Sequence, residues 1–374
     1  MHPIAVSPSR TEPDLSLRHL QAELAGLDAR LRRAVRRWQL AGQDPNDAYR
    51  GLYISDAEAE ALLDRPFGVG WGGLAQLPAE EAAAFDQAER RAREAAAGYI
   101  QQARAAGQAL RWLQLAEAFG LERFDLEALL ICLAPALDLR YEKLYGYLQD
   151  DVTRKRPGVN LILELLAESG VGRLTWLARF TDDAPLLRFG LLERTPESAK
   201  LPALSQTLLV DPAVVAWLLG RYQPHAELGA PAQLWHPAAD PEDELLAAEV
   251  WPDLAPMLAG EPAVAVFHGP DRTAQEAAAR QLAARLGRPL LAVALDALVR
   301  ERDGLTARRA VHLALRDARL AGAVLAIFGW EVALIEGALP ADVLAELCAH
   351  PDWVVVAGRT VWQAAGVARE RRLA

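Results

Sequence analysis

From Ala263 onward the chain alternates short, unbroken apolar runs with longer helical patterns, and no other feature of its 374 residues constrains the fold as strongly. The runs AVAVFHG (263–269), PLLAVAL (289–295), AVLAIFG (323–329) and WVVVAG (353–358) are separated by QEAAARQLAARLG, TARRAVHLALRDARLAG and ADVLAELCAH. A strand that is apolar along its whole length has no face to give to water, so helices must cover both sides of its sheet. That is the condition for a parallel sheet joined by right-handed crossovers.

In such a sheet the loop after the first strand faces any ligand. Here it reads Gly269-Pro270-Asp271-Arg272-Thr273-Ala274-Gln275-Glu276. A working phosphate loop, G-x-x-x-x-G-K-S/T, needs glycines so that backbone N–H groups can surround phosphates. It also needs a lysine to offset their charge and a hydroxyl to hold magnesium. In that register Gly269, Pro270 and Thr273 remain, whereas Ala274, Gln275 and Glu276 replace the second glycine, the lysine and the hydroxyl. One positive charge is lost and a negative one gained, and each close charge-assisted contact is worth roughly 1.5–3 kcal/mol. Gly269, Pro270, Thr273 and Gln275 are therefore candidate nucleotide contacts of a degenerate loop. No cofactor is expected, although ATP or ADP held without hydrolysis by N–H groups at a helix N-terminus is a possible residual function. After the third strand a hydrolytic site would carry an acidic pair; this chain has the lone Glu331, and Gly358, Arg359 and Thr360 follow the fourth. No catalytic residue is assigned.

Upstream the periodicity is helical. Leu17, Leu20, Leu24, Leu27, Leu31, Ala34 and Trp38 fall at spacings of three and four, one continuous apolar seam. The natural partner is the Ala- and Glu-rich helix of about 78–106, with Arg30, Arg32, Arg33, Arg36 and Arg37 read as a solvated face. Asp44 to Gly73 reads as a loop. Its GVGWGG run lacks the strand before it and the helix after it that a dinucleotide fingerprint requires. Four helical patterns follow between Ala109 and Ser169, with Asp125 a candidate cap of the second, and then two short apolar runs at about 184–194 and 203–210. Helices followed by a hairpin give the order of a winged helix. The expected division is a helical region (1–108), a winged-helix-like domain (109–220), a Pro-rich linker with a lead-in helix ELLAAEVWPDLAPML (221–262), and the α/β domain (263–374).

Three blocks carry a resemblance: YRGLYISDAEAEALL (49–63), LLICLAPALDLRYEKLYGYLQDDVTRKRPGVNLILELL (129–166) and VFHGPDRTAQEAAARQLAARLGRPLLAVALDAL (266–298). They resemble the AAA+ ATPases encoded beside phage-tail-like contractile injection systems. The resemblance implies a multidomain chain: a mainly α N-terminal region, a winged-helix-like α+β unit, and an incomplete α/β P-loop NTPase-like domain with an AAA+ core. It further implies that an intact AAA+ module follows in such proteins, and that this chain covers the front half and stops at ARERRLA before a fifth strand and helical lid. The family hydrolyses ATP, but its catalytic residues do not carry over. The implied role is regulatory or scaffolding, with other AAA+ subunits and injection-system components as protein partners, in a ring in the full-length protein.

The competing reading is a winged-helix nucleic-acid-binding or transcription-regulating protein, with Arg154, Lys155 and Arg156 as candidate contacts. Asp150 and Asp151 offset that charge, and a net charge of -10 opposes a phosphate-binding surface. Cys132 and Cys348 lie inside apolar helical patterns and suit a reducing compartment. The seven histidines lack ligand-like spacing, so no metal is expected. Without a signal peptide's apolar core or a run of ~20 apolar residues, the expectation is a cytoplasmic protein with no membrane partner.

Overall fold

The computed structural model describes residues 14–41, 56–237, 261–301, 304–360 and 370–373. The expected lead-in helix at 244–258 and the first part of the 49–63 block lie outside them. The chain divides into two compact units, the first ending at Asp211 and the second beginning at Pro212.

In the first unit, α1 (Leu15–Leu40) is capped by Asp14, whose carboxylate accepts from Ser16 N at 3.0 Å. Its seam packs on α3 (Ala79–Ala105), and α2 (Asp56–Asp64) lies between them in sequence. Leu20, Leu27, Leu31 and Trp38 are buried on α1, and Ala92, Ala96 and Ala103 on α3. Each buried leucine contributes roughly 1.5–3 kcal/mol. The arginine cluster departs from a simple solvated face. Arg36 forks onto Glu81 (2.6 and 2.9 Å), Arg33 pairs with Asp86 and with Glu89 (3.2 Å), and Arg30 reaches Glu127 (2.8 Å). This ladder shows the two helices running in opposite directions. Only Arg32 and Arg37 are exposed.

The segment expected as one loop up to Gly73 contains α2 and a 3-10 turn, Trp71–Leu74. Its glycines serve close approach: a Cβ on Gly70 would meet Glu164 Oε1 at 2.5 Å, and one on Gly72 would meet Trp38 Cδ1 at 3.0 Å.

The four expected helices are α4 (Arg111–Phe119), α5 (Arg123–Leu137), α6 (Arg140–Leu148) and α7 (Val159–Leu166). The center is α5, whose Ala128, Leu129, Ile131 and Leu133 are fully buried. Asp125 is not its N-cap. Glu122 holds that position, and Asp125, at the third residue of the helix, returns the bond by accepting from Glu122 N at 3.0 Å. After α8 (Gly172–Leu177) and a 3-10 turn to Phe180 come α9 (Pro185–Arg188) and an antiparallel pair, β1 (Leu192–Arg194) with β2 (Leu208–Val210). The first expected strand therefore starts as a helical turn, with Pro185 at its N-terminal position. Burial pushes the Cys132 thiol up, as for an inert core thiol.

His19 on α1 is fully buried and both its ring nitrogens lack a hydrogen-bond partner. Its pKa is lowered by desolvation from 6.5. Because the folded value is depressed, the stability is complete above the ordinary histidine range and is lost as pH falls below about 6.5. The expected slope there is up to about 1.4 kcal/mol per pH unit. Chemical denaturation of His19→Leu against the parent between pH 7.5 and 5.5 should show the parent losing stability relative to the variant. Parallel curves would refute the assignment.

The second unit contains α10 (Pro212–Leu218), β3 (Ala232–Trp235), β4 (Val264–His268), α11 (Arg272–Arg285), β5 (Leu290–Ala294) and α12 (Leu295–Glu301). It continues with α13 (Ala307–Ala321), β6 (Val324–Phe328), α14 (Ala341–Ala349), β7 (Val354–Gly358) and β8 (Glu370–Leu373). The sheet order is β3-β5-β6-β7-β4-β8; all neighbours are parallel except β3, which is antiparallel to β5. Side chains alternate between two cores. Val264, Val266, Leu291, Ile327 and Val356 join the core that contains residues of α12, α13 and α14, and Ala265, Phe267, Val355 and Ala357 pack with Ala278, Ala279 and Leu282 of α11.

Two expectations are corrected here. The stretch 221–262, read as a linker, contributes β3 and the buried Leu228, and Tyr222 Oη donates to Asp317 O at 3.2 Å. Its apolar run is too short, among prolines, to announce a strand. The ARERRLA end, read as stopping before a fifth strand, supplies β8 in parallel register with β4, Val264 opposite Glu370.

Candidate functional site

The helix after β4 lies on one face of the sheet, whereas the crossovers that return toward β7 use the other. The carboxyl ends of the neighbouring strands β4 and β7 lie side by side, where open α/β sheets place their ligand crevice. Gly269 and Gly358 form its two lips, with Gly269 N donating to Gly358 O at 3.1 Å. Gly269 has a φ of 155°, a conformation that favours glycine.

The crevice is occupied by the chain's own polar groups. Gln275 is buried, and its Nε2 donates to Gly269 O (3.1 Å) and Gly358 O (3.0 Å), tying the lips together with a neutral carboxamide. Asp271 caps α11: its Oδ1 accepts from Thr273 N (2.9 Å) and Ala274 N (3.2 Å), the N–H groups that a phosphate would need. On the β7 side Glu331 Oε1 accepts from Arg359 N and from Thr360 N (3.1 Å). Two carboxylates therefore sit on two sets of backbone donors.

The cation of the loop itself, Arg272, is also engaged. Arg272 Nε pairs with Glu276 Oε1 at 2.9 Å and Nη1 with Asp296 Oδ1 at 3.2 Å, and the guanidinium stands 5.0 Å from the Phe328 ring center. Gly329, at φ 65°, lets Asp296 come close, since a Cβ there would lie 2.5 Å from Asp296 Oδ1. Of the sequence candidates, Gly269 and Gln275 meet at the crevice, Thr273 offers its N–H to Asp271, and Pro270 stands between Gly269 and the cap. Glu331, expected near this site after the third strand, is found as an acceptor for backbone N–H groups, whereas the parts played here by Asp271 and Asp296 are not among the sequence candidates. Only Asp271 had a readable signal, an aspartate directly before a helical pattern.

The second candidate surface belongs to the first unit. Arg154, Lys155 and Arg156 lie in the turn between α6 and α7, not on a helix. Gln149 Nε2 closes this turn onto Arg154 O (3.1 Å) and Arg156 O (3.0 Å), while Arg154 stands 3.3 Å from Asp151 and Arg156 3.5 Å from Glu142. The helix α8, upstream of the single turn α9 and the hairpin, is the candidate to enter a groove, but the arginines of α8 and its 3-10 extension turn inward. Arg173 donates to Asn160 O at 2.9 Å, and Arg179 Nε donates to the buried Asp125 at 2.9 Å. Val171 and Leu174 are exposed there instead.

A family model described as "Winged helix domain, variant" matches residues 14–230. The chain belongs to this winged-helix domain family. The match takes in α1 and α3 as well as the helices and hairpin, so the winged-helix domain match begins well before residue 109. No curated protein and no solved structure matches the chain, and no comparison returned an AAA+ ATPase or an injection-system protein. Among the described residues, no helix is long and apolar enough to cross a membrane, and no group of three or more His, Cys, Asp or Glu is placed to hold a metal ion.

Proposed function

We propose that the chain is a non-hydrolysing regulatory or scaffolding protein, a winged-helix domain joined to a degenerate P-loop NTPase-like domain of the AAA+ kind. Its partners in this reading are proteins: other AAA+ subunits and components of a contractile injection system. The observation that carries the reading is the self-occupied crevice, in which Asp271 and Glu331 hold the backbone donors and Gln275 stands where an ammonium would be needed. Further support comes from the parallel sheet order, with the first strand, β4, between β7 and β8 and its glycine loop at the switch point. A triphosphate entering this crevice would meet two carboxylates and no free lysine, which sets ATP binding and hydrolysis against the electrostatics of the site.

The purified chain is expected to show no ATP turnover above a blank, and no thermal shift with ATP and magnesium. Turnover that disappears in Glu331→Gln would overturn the proposal.

Nucleic-acid binding is the second reading, and the winged-helix family match favours it. The inward Arg173 and Arg179, and the paired Arg154 and Arg156, weigh toward protein contact. A duplex-binding assay titrated with salt separates the two, since phosphate contacts give a steep loss of affinity as salt rises.

A further inference from the structure

The first unit holds a cavity of about 470 Å³, within the range of small-ligand sites, that neither the winged-helix match nor the nucleotide reading uses. Its walls come from α1 (Arg33, Arg37), the glycine run (Gly70), α7 (Glu164) and the start of α8 (Arg173). The glycines bring the loop down onto α1 and α7, because a side chain at Gly70 or Gly72 would strike Glu164 or Trp38.

Arg173 is the unusual member. It is 9% exposed, yet the oxygens it reaches are neutral: Gly68 O (3.3 Å), Asn160 O (2.9 Å) and Asn160 Oδ1 (2.5 Å). Its Nε is buried without a hydrogen-bond partner, and so is Arg33 Nε in the same wall. The Arg37 side chain is exposed at the cavity and makes no ion pair among the described residues. Glu164 attracts the Arg173 guanidinium without hydrogen-bonding it, so the buried Nε of Arg173 keeps a donor for a further acceptor, and a buried donor left unmet is costly. Glu164 Oε1 accepts from Asn160 Nδ2 at 3.0 Å, and burial raises its pKa against the lowering pull of Arg173.

We infer that this cavity binds a small oxyanion group, a carboxylate or a phosphate, on Arg173 with Arg37 at the entrance. Guanidinium nitrogens match the planar edge of a carboxylate and two oxygens of a phosphate equally well, so the two sources are separated by experiment.

Thermal melts of the full chain with inorganic phosphate or with succinate, at ionic strength held constant with chloride, test the inference. A saturable rise in Tm with one or both is expected, and whichever anion gives it identifies the class. Arg173→Met should abolish the rise. Should that variant fail to fold, Arg37→Ala, at an exposed position, should weaken the apparent affinity about tenfold, the loss of one charge-assisted contact. No rise with either anion beyond the chloride control overturns the site, as does a rise unchanged in Arg37→Ala.

Discussion

Asp125→Ala is expected to destabilise the winged-helix domain by about 3–5 kcal/mol, the cost of breaking a buried ion pair from one side. Asp125 is fully buried at the start of α5 and bonds in two directions. One oxygen closes the capping box on Glu122 N, and the carboxylate also receives the guanidinium of Arg179 through Nε (2.9 Å) and Nη2. Beside the pair, Phe124 stacks on Trp176 at 4.4 Å and meets Phe180 edge-on at 6.0 Å. The carboxylate thus joins the core helix α5 to the segment that leads into the hairpin. Removing it frays the first turn of α5 and leaves Arg179 with only the more distant Glu122, at 3.6 Å, as a carboxylate partner among the described residues. Denaturation followed by near-UV dichroism of this tryptophan should show the loss, and Asp125→Asn, which keeps the acceptor oxygen of the cap, should lose less. A cost below about 1 kcal/mol for the alanine variant would show that the pair is not the joint described.

A loss of similar size, again about 3–5 kcal/mol, is expected for Asp317→Ala in the α/β unit. Asp317 is fully buried on α13 next to Arg316, which is 2% exposed. Asp317 Oδ1 accepts from Arg316 Nε (3.1 Å) and Nη2 (3.0 Å), and Oδ2 accepts from His225 N at 2.6 Å. Burial pulls the Asp317 carboxyl up and the neighbouring guanidinium pulls it down, with burial the larger cause. Without the carboxylate, the buried guanidinium loses two hydrogen bonds and the His225 amide loses one. The segment before β3 loses one of its anchors as well, because His225 N bonds to the carboxylate, whereas Tyr222 Oη bonds to the main-chain oxygen that the variant keeps. Amide hydrogen exchange in β4 to β7 measures the opening free energy of this unit separately from the other. Protection unchanged in the variant would refute the prediction.

Much of the architecture was legible because it follows from periodicity. The seam from Leu17 to Trp38 specified α1 and its need for a partner helix, and the unbroken apolar runs from Ala263 specified four parallel strands covered on both faces. Short elements escaped. The β3 run is four residues among prolines, and the β8 residues ERRL carry no apolar pattern, so each depends on a neighbouring strand to supply its hydrogen bonds. The role of α1 arginines escaped too, since ion pairing with Glu81, Asp86 and Glu89 needs the opposite helix in place.

For the candidate site, the sequence by itself determined which chemistry is missing. Gln275 and Glu276 in place of lysine and hydroxyl remove the means to neutralise a triphosphate, wherever the chain places them. Tertiary structure alone decided what fills the space. Asp271 takes the helix N–H groups, Gln275 bridges Gly269 to Gly358, and Glu331 takes the N–H groups after β7 across 28 residues of chain. Hydrogen bonds between strand ends distant in sequence have no period to betray them; they exist only once the sheet order has set β4 beside β7.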